Sequence, residues 1–167
     1  PMEDLLKKIG FRPLTNNYQS FSSGQNRDII EIKEKNFSLK LLPLICYEII
    51  YSGKLFDKSN YDLIINISED GWFGQSIGPK QHFVHSIFRA VESGKYVVRS
   101  SNNGIAAIIN PLGKIENILN FGQSGYVDLE GSRSIQPTIF SKHGNKIFLM
   151  LILLYIFLIF SFNKFNK

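Results

Sequence analysis

Residues 37–50 read Phe-Ser-Leu-Lys-Leu-Leu-Pro-Leu-Ile-Cys-Tyr-Glu-Ile-Ile, an apolar run that stops at the chain's one cysteine. Phe37 to Ile45 is expected as a strand. Pro43 would be awkward in a fully paired central strand, because proline has no N–H to give to the ladder. Tyr47 to Ile50 looks like the start of the next element, which puts Cys46 at a strand-to-helix turn. There the positive end of a helix dipole would favour the thiolate, and backbone N–H groups would face an oxyanion on an attacked carbonyl. On this local pattern alone, a cysteine beside leucine and isoleucine is more often a small core residue. Glu48 is placed either to cap the first helical turn or to organise a site as a buried carboxylate. Tyr47 reads first as packing.

Working outward, Tyr61 to Ser68 (YDLIINIS) is a β-rich run expected as a buried strand. It leads into Ser68-Glu69-Asp70-Gly71-Trp72-Phe73-Gly74, an acid- and glycine-rich loop that holds the chain's one tryptophan. Loops at the carboxyl ends of strands are the usual site walls in α/β sheets. Gln81 to Ser93 is expected as a helix with Phe83, Val84, Ile87, Phe88 and Val91 on one face. Upstream, Met2 to Ile9 suits a short helix, Thr15 to Arg27 a polar loop, and Asp28 to Lys33 an edge strand. Downstream, strands are expected at Tyr96–Ser100, Ile105–Ile109, Ile115–Leu119 and Tyr126–Leu129, with Asn110-Pro111-Leu112-Gly113 as a tight turn. Helix and strand alternating, then a run of strands, indicate a layered α/β sheet with an antiparallel portion.

The chain has 167 residues, at most one ordinary domain, and its one cysteine excludes an internal disulfide framework and multi-cysteine metal sites. Of the net charge of +5, residues 141–167 supply four through Lys142, Lys146, Lys164 and Lys167, with no acid. The rest is nearly neutral and has no basic stripe for nucleic acid. Ile147 to Phe162 (IFLMLILLYIFLIFSF) runs sixteen residues without a charge between Lys146 and Lys164. It is expected as a transmembrane helix with snorkelling lysines, although the lysine count does not orient it. His82 and His85, spaced i and i+3, could serve a Cys–His pair or a metal with a third ligand from Asp70, Glu92 or His143. No recognisable metal motif accompanies them, and ordinary helix-packing histidines are the expectation.

The order and spacing of these elements carry more than any one of them. Pro43-Leu44-Ile45-Cys46-Tyr47-Glu48, Ser68 to Gly74, Ser76-Ile77-Gly78-Pro79, Gln81-His82, Arg89-Ala90-Val91-Glu92, Arg99 to Gly104 and Pro111-Leu112-Gly113 together resemble the carbon–nitrogen hydrolase (nitrilase) superfamily. The Trp-Phe-Gly step, the Gly-Pro-x-Gln-His step and the closing apolar segment are similar to its apolipoprotein N-acyltransferase family. The resemblance implies an α/β fold, part of an α-β-β-α sandwich, followed by one C-terminal transmembrane helix. The divisions are 1–140 for part of the catalytic domain, 141–146 for a short basic linker, 147–162 for the membrane helix and 163–167 for a basic tail. It implies a Glu-Lys-Cys triad in which the cysteine takes an acyl chain from a phospholipid as a thioester. The chain is then passed to the α-amino group of a diacylglyceryl-cysteine on a lipoprotein. By motif match the catalytic residues are Cys46, with Tyr47 and Glu48 beside it, and Trp72, Asp70 and Phe73 border the substrate. No cofactor is called for. Localisation follows from the resemblance: a bacterial inner membrane, with the sandwich facing the periplasm.

Two departures matter. Glu69 stands where the family usually has asparagine. The family's glutamate base and its lysine precede the cysteine, and Lys7, Lys8, Lys33 and Lys40 sit in the wrong context to supply the latter. The chain opens Pro-Met-Glu-Asp and is expected to be the C-terminal part of a longer enzyme, inactive alone or completed by a separately encoded N-terminal half. The alternatives are a membrane-tethered amidohydrolase of the same superfamily, with water as acceptor, and a non-catalytic membrane-anchored remnant.

Overall fold

A computed structural model describes residues 8–10, 28–53 and 60–165, with side chains through residue 162. The expected Met2–Ile9 helix lies largely, and the Thr15–Arg27 loop wholly, outside these. The described chain builds one mixed six-stranded sheet from β1 (Ile30–Glu34), β2 (Phe37–Ile45), β3 (Leu63–Glu69), β4 (Tyr96–Asn102), β5 (Ala106–Ile109) and β6 (Ile115–Leu119). The spatial order follows the chain order. β2, β3 and β4 are parallel, while β1, β5 and β6 pair antiparallel with their neighbours. β1 partners β2 only over Phe37–Leu41, so Pro43 faces β3 on one side and, among the described residues, no strand on the other. That is the edge position proline tolerates.

Alternation along the strands divides the core. Leu42, Leu44, Ile64, Val97, Ala107 and Ile109 point to one face, where they meet Phe83 and Ala90 of α1 (Gly78–Ser93). Leu41, Leu63, Tyr96 and Ile108 point to the other, packed with Val127 and Leu129. The described residues thus form one helix layer on one sheet, the part of a sandwich that the resemblance implied, without a second sheet. Ile45 and Ile67, at the β2 and β3 ends of the second face, are 56% and 55% exposed. Tyr126–Leu129 is not a strand. Its Val127 and Leu129 pack as a strand's alternate residues would, but a side-chain bond from Asn117 to the Asp128 carbonyl, 3.3 Å, is its tie to β6.

α1 departs from its expected face. Phe83 is buried and Ile87 half-buried, but Val84, Phe88 and Val91 look outward. The inward stripe is polar instead: His82, Ser86, Arg89 and Ser93, at i, i+4, i+7 and i+11, with Glu92 beside them. Partners inside the fold permit this. Arg89 and Glu92 form a buried ion pair at 2.8 Å, and their other atoms grip the Tyr51 carbonyl and the Gly53 N–H. The Glu92 carbonyl also accepts the Thr138 N–H at 3.0 Å. Pro79 enters the first turn, where its missing N–H costs nothing, and Gly94 closes the helix at φ +66°.

Beyond Thr138, which caps its first turn by accepting the Ser141 N–H at 3.1 Å, α2 (Ile139–His143) leads through Gly144 into α3 (Lys146–Phe165). The stretch expected as a linker therefore holds the end of one helix and the start of another. α3 is apolar on all sides and exposed from Phe148 to Phe160. Yet no helix among the described residues is long and apolar enough to cross a membrane, which corrects the expected transmembrane span. The charge-free run rises only about 24 Å at 1.5 Å per residue, against about 30 Å of hydrocarbon.

Gly94→Ala is expected to destabilise the fold by about 1 kcal/mol or more. A Cβ there would sit 2.5 Å from the Ile135 carbonyl oxygen, besides the left-handed φ. Urea unfolding followed by circular dichroism checks this.

Candidate active site

β2 ends at Ile45, and Cys46–Ile50 forms a single 3-10 turn. Five residues of 3-10 turn do not sum the peptide dipoles of a helix, so the expected dipole activation of the thiol is not supplied here. What the turn supplies is shape. Cys46 adopts φ +49°, a left-handed conformation that costs a non-glycine residue about 1 kcal/mol or more and persists only where neighbours enforce it. Glu48 enforces it from the outside, its Oε2 accepting the Ile45 N–H at 2.7 Å. This is the capping role. From the inside, the Asn66 amide donates to the Leu44 carbonyl at 2.9 Å and to the Cys46 carbonyl at 3.3 Å. Cys46 itself is half-buried, with Ser68 Oγ 3.6 Å and the Glu69 carbonyl 4.0 Å from its sulfur.

Asn66 and Ser68 face the helix side of β3 among leucines and isoleucines, and a buried polar side chain there must find partners. They find a charged cluster. Asp70 is fully buried; its Oδ1 accepts from Ser68 at 2.8 Å and meets His82 Nδ1 at 2.8 Å, while its Oδ2 accepts from Arg99 at 2.7 Å. Arg99, also buried, extends to the Asn66 side chain and to the Ile105 carbonyl at 3.2 Å. Burial pushes the Asp70 carboxyl up, but the hydrogen bonds from His82 and Ser68 and the Arg99 guanidinium outweigh it and hold it well below the usual carboxylate range. Gly104 lets the next loop close over this cluster: a Cβ there would collide with Asp70 Oδ2 and Ser101 Oγ.

The structure therefore brings together Cys46, Tyr47, Glu48, Asp70 and Phe73, though not all in the expected posture. Asp70, expected to border substrate, turns inward with both oxygens engaged. Trp72 is 87% exposed on the rim, while Phe73 is half-buried with its ring edge-on to His82 at 5.6 Å. Tyr47 lies on the imidazole's flank, with ring centroids 5.8 Å apart. Glu69 accepts the Gly71 N–H at 2.6 Å and the Asn102 amide at 2.5 Å, so its carboxylate closes the turn and ties β3 to β4. Lys33 pairs with Glu31 at 3.1 Å and Lys40 reaches Asn60 at 3.4 Å. Lys40 stands six strand residues, about 20 Å, before Cys46. Among the described residues no group of three or more His, Cys, Asp and Glu side chains could hold a metal ion. The sequence alone assigns no site role to Asn66, Ser68 or Arg99, and offers His82 only as a partner for the thiol, a metal ligand or, as expected, a helix-packing histidine. Polar residues at core-facing positions of otherwise apolar strands were the available signal for the first three.

Residues 6–141 match the carbon–nitrogen hydrolase family, and the chain belongs to it. Within that family, the apolipoprotein N-acyltransferase of Rickettsia bellii (strain RML369-C) is 43% identical over 150 residues, covering 87% of this chain and 29% of that protein. The apolipoprotein N-acyltransferase of Bradyrhizobium diazoefficiens is 38% identical over 146 residues, covering 87% of this chain and 27% of that protein. The chain thus spans under a third of the length of these relatives. A CN-hydrolase superfamily protein from Xanthomonas campestris aligns in structure with a TM-score of 0.44 at 14% identity, covering 78% of this chain and 51% of that one.

The Asp70 carboxyl predicts a pH dependence. Its folded pKa is depressed, so its stabilisation is full above the unfolded value of 3.8 and is lost as pH falls below that toward the folded value. Asp70→Asn should therefore be less stable than wild type near neutrality, and the gap should narrow between about pH 5 and about pH 2. Denaturant midpoints of both proteins across that range check it.

Proposed function

We propose that this chain carries the nucleophile-bearing part of an apolipoprotein N-acyltransferase, with Cys46 as the residue that takes the acyl chain. The observation that carries the reading is Cys46 on a strained strand-end turn, its conformation fixed from both sides, in a chain about 40% identical to proteins of that name. Cysteine suits the task, being nucleophilic near neutral pH and giving a thioester that splits acyl transfer into two easier steps.

In the first step the thiol gives its proton to a base, for which the resemblance implies an upstream glutamate. The sulfur adds to an ester carbonyl of the phospholipid, the C–S bond forms, and the C–O bond breaks. The departing alkoxide takes a proton and leaves as lysophospholipid. In the second step the α-amino group of a diacylglyceryl-cysteine adds to the thioester, the C–S bond breaks, and the thiol is restored as the amide forms. Trp72 and Phe73 border the acyl chain, and Tyr47 and Glu48 shape the approach to sulfur.

α3 supports membrane association. An apolar helix with no polar face and an exposed surface belongs in lipid or against another apolar surface, and both proposed substrates reside in lipid. Holding donor and acceptor at one depth beside the thiol would supply proximity. The proposed location is the periplasmic side of a bacterial inner membrane, with the apolar surface of α3 held against lipid.

The test uses the native protein in membranes with a phospholipid carrying a labelled acyl chain and a diacylated lipopeptide acceptor. Label is expected in the peptide amide, with Cys46→Ala lowering the rate by at least about a thousandfold. Label released as free fatty acid, at a rate indifferent to the acceptor, would make water the acceptor and favour an amidohydrolase. Transfer unaffected by Cys46→Ala would remove the nucleophile.

A further inference from the structure

His82 has no role in the reaction as proposed above, yet it is 3% exposed and held at both ring nitrogens. Its Nε2 lies 3.3 Å from the Cys46 carbonyl oxygen, within hydrogen-bonding reach. Nδ1 lies 2.8 Å from Asp70 Oδ1, with Arg99 Nη2 at 3.3 Å. The sulfur of Cys46 contacts Ser68 and Glu69 instead, so the imidazole addresses the nucleophile's backbone. In a trans peptide the C=O and the following N–H point in opposite directions. With the Cys46 carbonyl drawn inward by His82 and Asn66, the Tyr47 N–H is turned away from the buried cluster.

We propose that His82 is a positioning residue for the nucleophile: its hydrogen bond to the Cys46 carbonyl fixes the peptide between residues 46 and 47 so that the Tyr47 N–H meets the oxyanion formed when the thiolate adds to an acyl carbonyl. Asp70 holds the imidazole in place for this, and Arg99 holds Asp70. The inference rests on the reading of Cys46 as the acyl-accepting thiol, not on any particular lipid donor.

Two reagents separate geometry from general disorder. p-Nitrophenyl butyrate acylates a thiolate through an oxyanion: the C–S bond forms, the carbonyl pair moves to oxygen and returns, and p-nitrophenolate leaves. Iodoacetamide alkylates the same thiolate by displacing iodide, with no oxyanion. His82→Asn keeps an amide near Nδ1 and loses reach to the Cys46 carbonyl, whereas His82→Gln places an amide near Nε2. On the full chain, His82→Asn is expected to slow acylation by about tenfold to a hundredfold and alkylation by less than about threefold, with His82→Gln close to wild type in both. Asp70→Asn, which frees Nδ1 but leaves the imidazole, gives an independent reading and should show the same selective loss by about threefold to tenfold. Equal acylation in all the proteins, or a loss shared equally by alkylation, would overturn the positioning role. A wild-type Cys46 that takes iodoacetamide and never the ester would overturn the nucleophile reading, and this inference with it.

Discussion

The left-handed conformation of Cys46 is the constraint on which the rest of this structure depends. A residue with a Cβ does not hold φ +49° unaided. Ile45 is anchored by Glu48, and the Leu44 and Cys46 carbonyls are anchored by Asn66 and His82. Those anchors need anchors of their own. Asn66 and His82 are both tied to Arg99 and Asp70, buried opposite charges that would be costly to desolvate if left unpaired. Here every oxygen of Asp70 is engaged. The polar interior of this small domain is thus a scaffold that transmits the rigidity of β3 and β4 to one peptide unit at the end of β2.

The same logic explains α1. A helix with an inward stripe of histidine, serine, arginine and glutamate would be a poor core element by area alone. It works because each end of the stripe meets a segment with something to satisfy. His82 meets the Cys46 turn at one end, and at the other the Arg89–Glu92 pair meets Tyr51, Gly53 and, through the Glu92 carbonyl, Thr138. One helix therefore fixes the chain both at Cys46 and just after it.

Much of this was legible in the sequence because it follows from local rules. Apolar and β-rich runs mark β2 to β6 within a residue or two, and Pro43, awkward in a fully paired central strand, lies where β1 no longer pairs with β2. Glu48 three residues after Ile45 carries its capping role openly. What was not legible depends on partners distant in sequence. Asp70 reads as a loop acid until Arg99 and His82 are known to converge on it from β4 and α1. The outward turn of Val84, Phe88 and Val91 follows from the same satisfied polar stripe, which hydrophobic periodicity treats as solvent-facing. Tyr126–Leu129 alternates like a strand, but alternation fixes packing and not a hydrogen-bonded ladder. The apolar tail does form a helix, but its charge-free run is short of the hydrocarbon thickness, and no helix among the described residues qualifies as a span.

The central proposal is that Cys46 is the thiol that becomes acylated. Its most direct test is intact mass spectrometry of the native protein after incubation of its membranes with phospholipid, before and after hydroxylamine. The account predicts a mass increase of one acyl chain, localised to Cys46 and removed by hydroxylamine as a thioester requires. A protein that stays unmodified, under conditions in which an apolipoprotein N-acyltransferase relative is acylated, would contradict it.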